Sequence, residues 1–565
     1  MRPITFFDIE IAANSEKILD IGAVKSDGAV FHSSSLQDFA RFLNNDVFIC
    51  GHNIIQHDLK YLQKPLSSYG INHLKAIDTL FLSPLLFPTK PYHNLLKDDK
   101  LQSDELNNPV NDSRKAKDLF IDEVSAFNNL PDNIKQVYYL LLNQQTEFSC
   151  FFEYLSYQCD VTLDLETLLN DSFHNSFCAN APLQEFITKH PIELTYCLAL
   201  ITSNNRYSIT PPWVLMNYPV VETIMHLLRN SPCLSGCDYC DEALDINKGL
   251  KDYFGFDGYR TFAGVPLQEK AVNAAVNNKS LLAIFPTGGG KSLTFQIPAL
   301  MSGKNTKGLT VVISPLQSLM KDQVDNLEKN GITDAVTING MLDPIERGKS
   351  FQRVAEGLAS LLYISPESLR SKSIERLLLG RNIVRFVIDE AHCFSSWGQD
   401  FRVDYLYIAD FIKQLQINKN LQQPIPVSCF TATAKQKVVE DIVHYFKDKL
   451  SLHLEVFKAN TARTNLHYKV YDSKDNKEKY NNVRNLIAAK NCPTIIYVSR
   501  TRKAYSLAKE LCNDGFDARA YHAHDPAPLR VDPTTIDGRD RQSARYRAFR
   551  SARYCFVLRR ILGTT

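Results

Sequence analysis

The sequence has no apolar run approaching the ~18 residues of a membrane-spanning helix, so an integral helical membrane protein is not expected. Its first residues, MRPITFFDIE, lack a basic stretch followed by an apolar core, so no secretory leader is expected either. There is almost no net charge: 64 Lys and Arg against 62 Asp and Glu leave +2. A surface for a polyanion would therefore have to be a local patch rather than a global property. No low-complexity tract and no repeat of roughly 20–50 residues is visible. The 13 Cys are an odd number without a leader, which fits reduced thiols in a cytoplasmic chain better than a disulfide framework. What is present is ordinary globular composition, 44% hydrophobic and 22% charged. The 565 residues suffice for about three to five domains at ~100–200 residues each.

The pattern predicts an α/β protein. Residues 1–130 alternate short apolar runs with helical periods. Residues 131–245 read as mostly helical, as in IKQVYYLLLN and VVETIMHLLRN, and end in a cysteine cluster. Residues 246–450 repeat an apolar strand, a Gly/Ser/Pro loop and a helix, which predicts a parallel sheet with loops at the strand C-termini. A further strand–helix segment occupies residues 451–523. From His524 to Thr565 there are nine Arg but no Lys and no Asn. Two readings of that tail stand: a basic segment that contacts DNA, or a change of reading frame near residue 524 that leaves it unselected for folding.

Two motifs in the βα series carry chemistry. PTGGGKS (Pro286–Ser292) follows the apolar run Leu281–Phe285 and opens a helix. In such a turn the N–H groups of Thr287, Gly288, Gly289 and Gly290 can face phosphate oxygens, aided by the helix N-terminus. Lys291 would reach the β- and γ-phosphates of ATP, and the Ser292 hydroxyl would ligate Mg²⁺. Phe285 stands where the generic pattern has its first Gly. About 100 residues on, FVIDEAH (Phe386–His392) ends an apolar strand in two carboxylates. Asp389 is suited to hold Mg²⁺ and Glu390 to orient the attacking water. Thr431-Ala432-Thr433 follows another strand, where hydroxyls could report nucleotide state.

PTGGGKS, DEAH and TAT in this order resemble a superfamily 2 helicase. AHCFSSWGQDFRVDY (Ala391–Tyr405) resembles the aromatic-rich loop of RecQ-family DNA helicases. VVISPLQSLMKDQVDNL, LLYISPESL, RTNL at Arg463–Leu466 and TIIYVSR…YHA also resemble that family, over roughly residues 250–523. The resemblance implies a RecA-like lobe, a partial second lobe, and 3′–5′ movement on single-stranded and forked DNA. It implies that Phe394, Trp397, Phe401 and Arg402 contact DNA, in keeping with base stacking on aromatic faces. Ser396 and Gln399 replace the family's usual Gln and His. Gln268, in a segment like the family's adenine-reading motif, would read the adenine edge. The family's arginine-finger motif, Q-x-x-G-R-x-G-R, has no counterpart after His522.

At the N-terminus, FFDIE puts Asp8 and Glu10 on one strand face. Two carboxylates there repel unless they share a cation. With Asp58 and Asp112 they would suit two Mg²⁺ or Mn²⁺ ions and phosphodiester hydrolysis. The order resembles DnaQ-like (DEDD) 3′–5′ exonucleases over roughly residues 3–125, which implies an RNase H-like domain. Asn107 stands where that family has its general-base His; His93 and His57 are the nearby candidates. An inactive or DNA-binding version of the same domain is the alternative.

Cys233-x₃-Cys237-x₂-Cys240 has spacing for zinc or an iron–sulfur cluster. Cys197 or Cys178 would have to supply a fourth thiolate. Ordinary unliganded thiols remain the other reading. The same spacing occurs in radical-SAM enzymes, but early in a barrel, a context this chain does not offer.

Overall fold

The structure, a computed structural model, describes residues 2–12, 17–43, 46–95, 108–160, 162, 164–203, 208–394, 403–432, 436–459, 469–490, 494–520 and 555–559. It falls into two compact units, Met1–Thr461 and Ala462–Thr565. Among the described residues no helix is long and apolar enough to cross a membrane.

The first unit begins with a five-stranded sheet: β1 (Ile4–Ile11), β2 (Ile18–Lys25), β3 (Val30–His32), β4 (Phe48–Gly51) and β5 (Lys75–Asp78). Their order is β3-β2-β1-β4-β5. β1 and β3 run antiparallel to β2, while β4 is parallel to both β1 and β5. Alternation along β1 assigns its faces. Phe7 and Ile9 are buried with the helices Leu36–Leu43 and Asp58–Ser68. Ile4 and Phe6 face the long helix Pro109–Asn128, where Phe6 meets Phe120 at 5.7 Å. That helix lies close on β2: a Cβ on Gly22 would come within 2.1 Å of the Val110 nitrogen. The Ser113 hydroxyl donates to the Gly22 carbonyl.

The helical stretch that follows packs against this sheet. Its apolar faces share one continuous core with this sheet, running from Ile4 and Phe48 through Phe81 and Phe120 to Phe151, Leu198 and Leu228.

A seven-stranded parallel sheet completes the unit: β6 (Leu281–Ile284), β7 (Leu309–Ile313), β8 (Ala335–Ile338), β9 (Leu361–Ile364), β10 (Ile383–Ile388), β11 (Val427–Thr431) and β12 (Glu455–Lys458). The order is β12-β6-β11-β10-β7-β9-β8. The central strands are near-continuous apolar runs because helices cover both faces. β12 lies beyond residue 450, where the sequence pattern predicts the first lobe to end, yet it pairs with β6 as an edge strand of the same sheet. Chain order alone did not reveal that return.

The second unit contains the helices Asn476–Lys490 and Thr501–Asn513 and three parallel strands. The strands β13 (Thr494–Val498), β14 (Ala518–Ala520) and β15 (Cys555–Arg559) lie in the order β13-β15-β14. Its small core gathers Ile487, Leu511 and Ala518. β15 falls within the Arg-rich tail, so this short apolar run has a place in a sheet. The rest of that tail, the RTNL segment and the YHA segment lie outside the described residues.

Candidate nucleotide site and two further side-chain clusters

β6, β11 and β10 are neighbours, so the loops after them emerge side by side at the carboxyl edge of the sheet. That edge is where open α/β sheets bind ligands. The three loops are those holding PTGGGKS, Thr431-Ala432 and Asp389-Glu390.

The phosphate-type loop turns tightly into the helix Lys291–Thr306, with Gly288 at φ +77 and Gly290 at φ +80. Thr287 and Gly288 are exposed at its tip. Gln268 is buried beneath it. Its Nε2 donates to the Gly290 carbonyl at 2.9 Å, and its Oε1 accepts the Arg260 N–H at 2.8 Å. The Arg260 guanidinium donates to the Gly288 carbonyl. Phe262 stacks on Phe285 at 4.9 Å. The predicted adenine reader thus also braces the loop.

Ser292 lies on the first turn of the helix, and its hydroxyl accepts from Gln323 Nε2 at 3.0 Å. Gln323 Oε1 accepts from Gln296, which in turn donates to the buried Tyr363 hydroxyl. No spacing in the sequence pointed to this chain of contacts. It runs between elements far apart in the sequence.

Asp389 follows β10 and is held by its N–H to the Ile313 carbonyl, while its own carbonyl accepts the Tyr405 hydroxyl at 2.9 Å. Burial, then the neighbouring Glu390 charge, push the Asp389 carboxyl up to about 6; Lys291 and His392 oppose this. Such a buried carboxylate suits a cation partner. Glu390 adopts φ +50, a left-handed conformation costing a bulky residue about 1–3 kcal/mol and typical of functional sites. Its carboxyl is held below its usual range by the hydrogen bond to His392.

Phe394 does not present a stacking face. It is buried at 6% exposure against Tyr405, Tyr445 and Phe446. Phe394, expected to contact DNA, occupies a core position in this structure, at the end of the turn Ala391–Phe394. Trp397, Phe401 and Arg402, with Ser396, Gln399 and Thr433, lie outside the described residues.

In the first sheet, the buried Asp58 opens the helix Asp58–Ser68, and its Oδ1 accepts the N–H of Ile9 at 3.0 Å. Ile9 stands between Asp8 and Glu10, so Asp58 reaches the strand that carries both. Burial raises the Asp58 carboxyl to about 6, against the lowering effect of His57. His57 Nδ1 is 3.5 Å away and the ring is exposed. His93 is instead buried and bonded to the Ser83 hydroxyl at 2.7 Å. Asp112 sits in the first turn of the helix Pro109–Asn128, 3.7 Å from Lys115 Nζ. Asp78 caps a helix by accepting from Asn53, Ile55 and Leu80 N–H groups. Asn107 lies outside the described residues.

Among the described residues, the group of ligating side chains drawn into mutual contact is Cys178, Cys233, Cys237 and Cys240, whose Sγ atoms all lie within 4.8 Å of one another. Cys178 is thus the fourth member. Cys197 is buried on another helix and points at the Val221 carbonyl.

Residues 265–442 match the DEAD/DEAH box helicase family. That stretch resembles helicases of this class, and the relatives the chain resembles include RecQ-type helicases. It is 36% identical over 285 residues to "ATP-dependent helicase SGS1" of Saccharomyces cerevisiae, covering 48% of this chain and 18% of that one. It is 35% identical over 300 residues to "ATP-dependent DNA helicase RecQ" of Haemophilus influenzae, covering 52% and 44%. The chain thus spans less than half the length of these two relatives. Among solved structures, S. cerevisiae Dbp5 bound to RNA and ADP BeF3 matches at 16% identity and a TM-score of 0.39, covering 56% of this chain and 75% of that one.

Proposed function

We propose that this chain acts as a RecQ-type ATP-dependent helicase on single-stranded and forked DNA, with a metal-dependent 3′–5′ exonuclease domain at its N-terminus. The observation that carries the helicase reading is the adjacency of β6, β11 and β10, which sets a phosphate-type loop beside an acidic pair. In this reading Thr287, Gly288, Gly289 and Gly290 cradle the phosphates and Lys291 neutralises their charge. The remaining amide hydrogen and lone pair of Gln268 read the adenine edge. Ser292 and Asp389 hold Mg²⁺, which supplies charge stabilisation of the transferring phosphoryl group. Glu390 orients the attacking water. Trp397, Phe401 and Arg402 contact the DNA strand.

The exonuclease reading assigns residues 1–130 to an RNase H-like domain. It is supported by the sheet order, with one antiparallel strand beside β1, and by Asp58 meeting the Asp8–Glu10 strand. Asp8, Glu10, Asp58 and Asp112 would hold Mg²⁺ or Mn²⁺. His57, beside Asp58, is better placed for a base than the buried His93.

The test is ATP hydrolysis by the full chain with and without single-stranded DNA, beside Lys291→Ala. DNA-stimulated turnover lost in the variant supports the helicase reading; turnover retained in Lys291→Ala overturns it. Release of 3′ nucleotides with Mg²⁺ or Mn²⁺, lost in Asp8→Ala and Asp58→Asn, supports the exonuclease. A second reading is an exonuclease whose helicase part is only a DNA-binding ATPase. It predicts hydrolysis of ATP without strand separation on a fork.

A further inference from the structure

Three cysteines of the cluster come from one short segment and the fourth from a loop 55 residues earlier, Cys178 against Cys233. The fold brings them together through backbone contacts. The Cys178 N–H donates to the carbonyl of Leu228 at 2.8 Å, at the end of the helix Val220–Arg229. The chain then turns through Gly236, at φ +75, into the helix Asp238–Ala243, which Cys237 precedes and Cys240 occupies. The left-handed residue lets the segment fold back so that Cys233 and Cys237 face one point.

The spacing of the sulfurs distinguishes the occupants. Four thiolates around one zinc at ~2.3 Å form a tetrahedron with edges of about 3.8 Å. The Cys178 and Cys237 sulfurs are 3.9 Å apart, and all four lie within 4.8 Å of one another. A disulfide needs ~2.05 Å. In a four-iron cluster each thiolate binds a different iron, which spreads the sulfurs wider than one ion's coordination sphere. Asn180 supplies an outer contact: its Nδ2 donates to the Cys233 Sγ and the Gly236 carbonyl, each at 3.3 Å. An N–H aimed at sulfur stabilises a thiolate, as outer-shell donors do at metal sites.

The cluster is also packed against the nucleotide machinery. Cys178 and Cys240 share a core with Leu250 of the helix Ile246–Phe254, Val272 of the helix Leu267–Val276, and Ile297 and Met301 of the helix Lys291–Thr306. The last begins at the phosphate-type loop. Asn305 on it donates to the Ala243 carbonyl at 3.1 Å, at the end of the cysteine-bearing helix.

We infer that Cys178, Cys233, Cys237 and Cys240 bind one structural zinc ion that staples the Cys178 loop to the segment Cys233–Cys240, which packs on the helix carrying the phosphate-type loop. Four thiolates leave no open position, so the site is closed and takes no substrate. The full chain, purified under reducing conditions, should hold one zinc per molecule and be colourless. Zinc X-ray absorption should give four sulfurs at ~2.3 Å. Cys178→Ser and Cys237→Ser should each lose the zinc, while Cys159→Ser keeps it. Iron with visible charge-transfer absorption, zinc retained in both cluster variants, or a metal-free chain that takes up no Zn²⁺ would overturn the site.

Should the variants fail to fold, the unmodified chain still decides. Stripping it with a strong chelator should lower hydrogen-exchange protection in residues 233–254 and 291–306, and Zn²⁺ alone should restore it. Zinc removed with protection unchanged would overturn the staple. Both outcomes are read without ATP or DNA, so they stand apart from the helicase reading.

Discussion

The imidazole Nδ1 of His392 lies 3.2 Å from the Oγ1 of Thr431, which joins the acidic-pair loop after β10 to the end of β11. The same nitrogen is 3.2 Å from Glu390 Oε2. One Nδ1–H cannot serve two acceptors fully, so in the proposed ATPase His392 would exchange partners when Glu390 turns to the attacking water. A hydrogen bond to a charged group contributes ~1.5–3 kcal/mol. His392→Ala should therefore retain ATP binding while DNA-stimulated hydrolysis falls by roughly tenfold or more. Steady-state hydrolysis with and without DNA checks this. Unchanged stimulation would show that the bridge carries no signal.

Gly290 and Gly288 offer a paired test of the loop. Both have positive φ, but a Cβ on Gly290 would stand 2.4 Å from Gln268 Nε2, whereas one on Gly288 meets nothing within 4 Å. Gly290→Ala should weaken nucleotide binding by ~10-fold or more, and Gly288→Ala distinctly less. Equal losses measured with a fluorescent ATP analogue would remove the Gln268 contact as the cause.

Glu123 is fully buried in the helix Pro109–Asn128, and among the described residues neither carboxylate oxygen has a hydrogen-bond partner. Burial first, then the charge of Asp78, push its carboxyl well above 4.5. The folded state therefore keeps a proton that the unfolded chain releases. Stability is full below the unfolded value and declines as pH rises above it. Glu123→Gln should remove that slope. Its thermal midpoint should match the parent near pH 4.5 and exceed it at pH 8. A constant difference across that range would contradict the assignment.

Lys419 Nζ lies 2.7 Å from Glu222 Oε1, with 3% and 10% of the side chains exposed. The pair links the helix Val220–Arg229 to the end of the helix Ile408–Asn418. Removing one partner of a buried pair leaves an uncompensated charge and costs about 3–5 kcal/mol. Glu222→Ala should lose that amount in urea denaturation. Adding Lys419→Met should recover much of it. Without recovery, the loss comes from packing rather than charge.

The sequence by itself determined the βα series and where its Gly-rich and acidic loops fall. Apolar strands ending in PTGGGKS and DEAH are local signals, because glycine turns, helix starts and strand-terminal acids depend on neighbouring residues. It also marked Asp8 and Glu10 as sharing a strand face. Only the tertiary structure decided which distant residues meet. It chose Cys178 over Cys197, because the Leu228 carbonyl holds the Cys178 loop in place. It turned Phe394 into the core, since Tyr405 and Phe446 close around it. It returned β12 to the edge of the first lobe's sheet and placed Gln268 beneath the loop. Such contacts follow from strand order and helix packing across long stretches of chain, which local pattern does not encode.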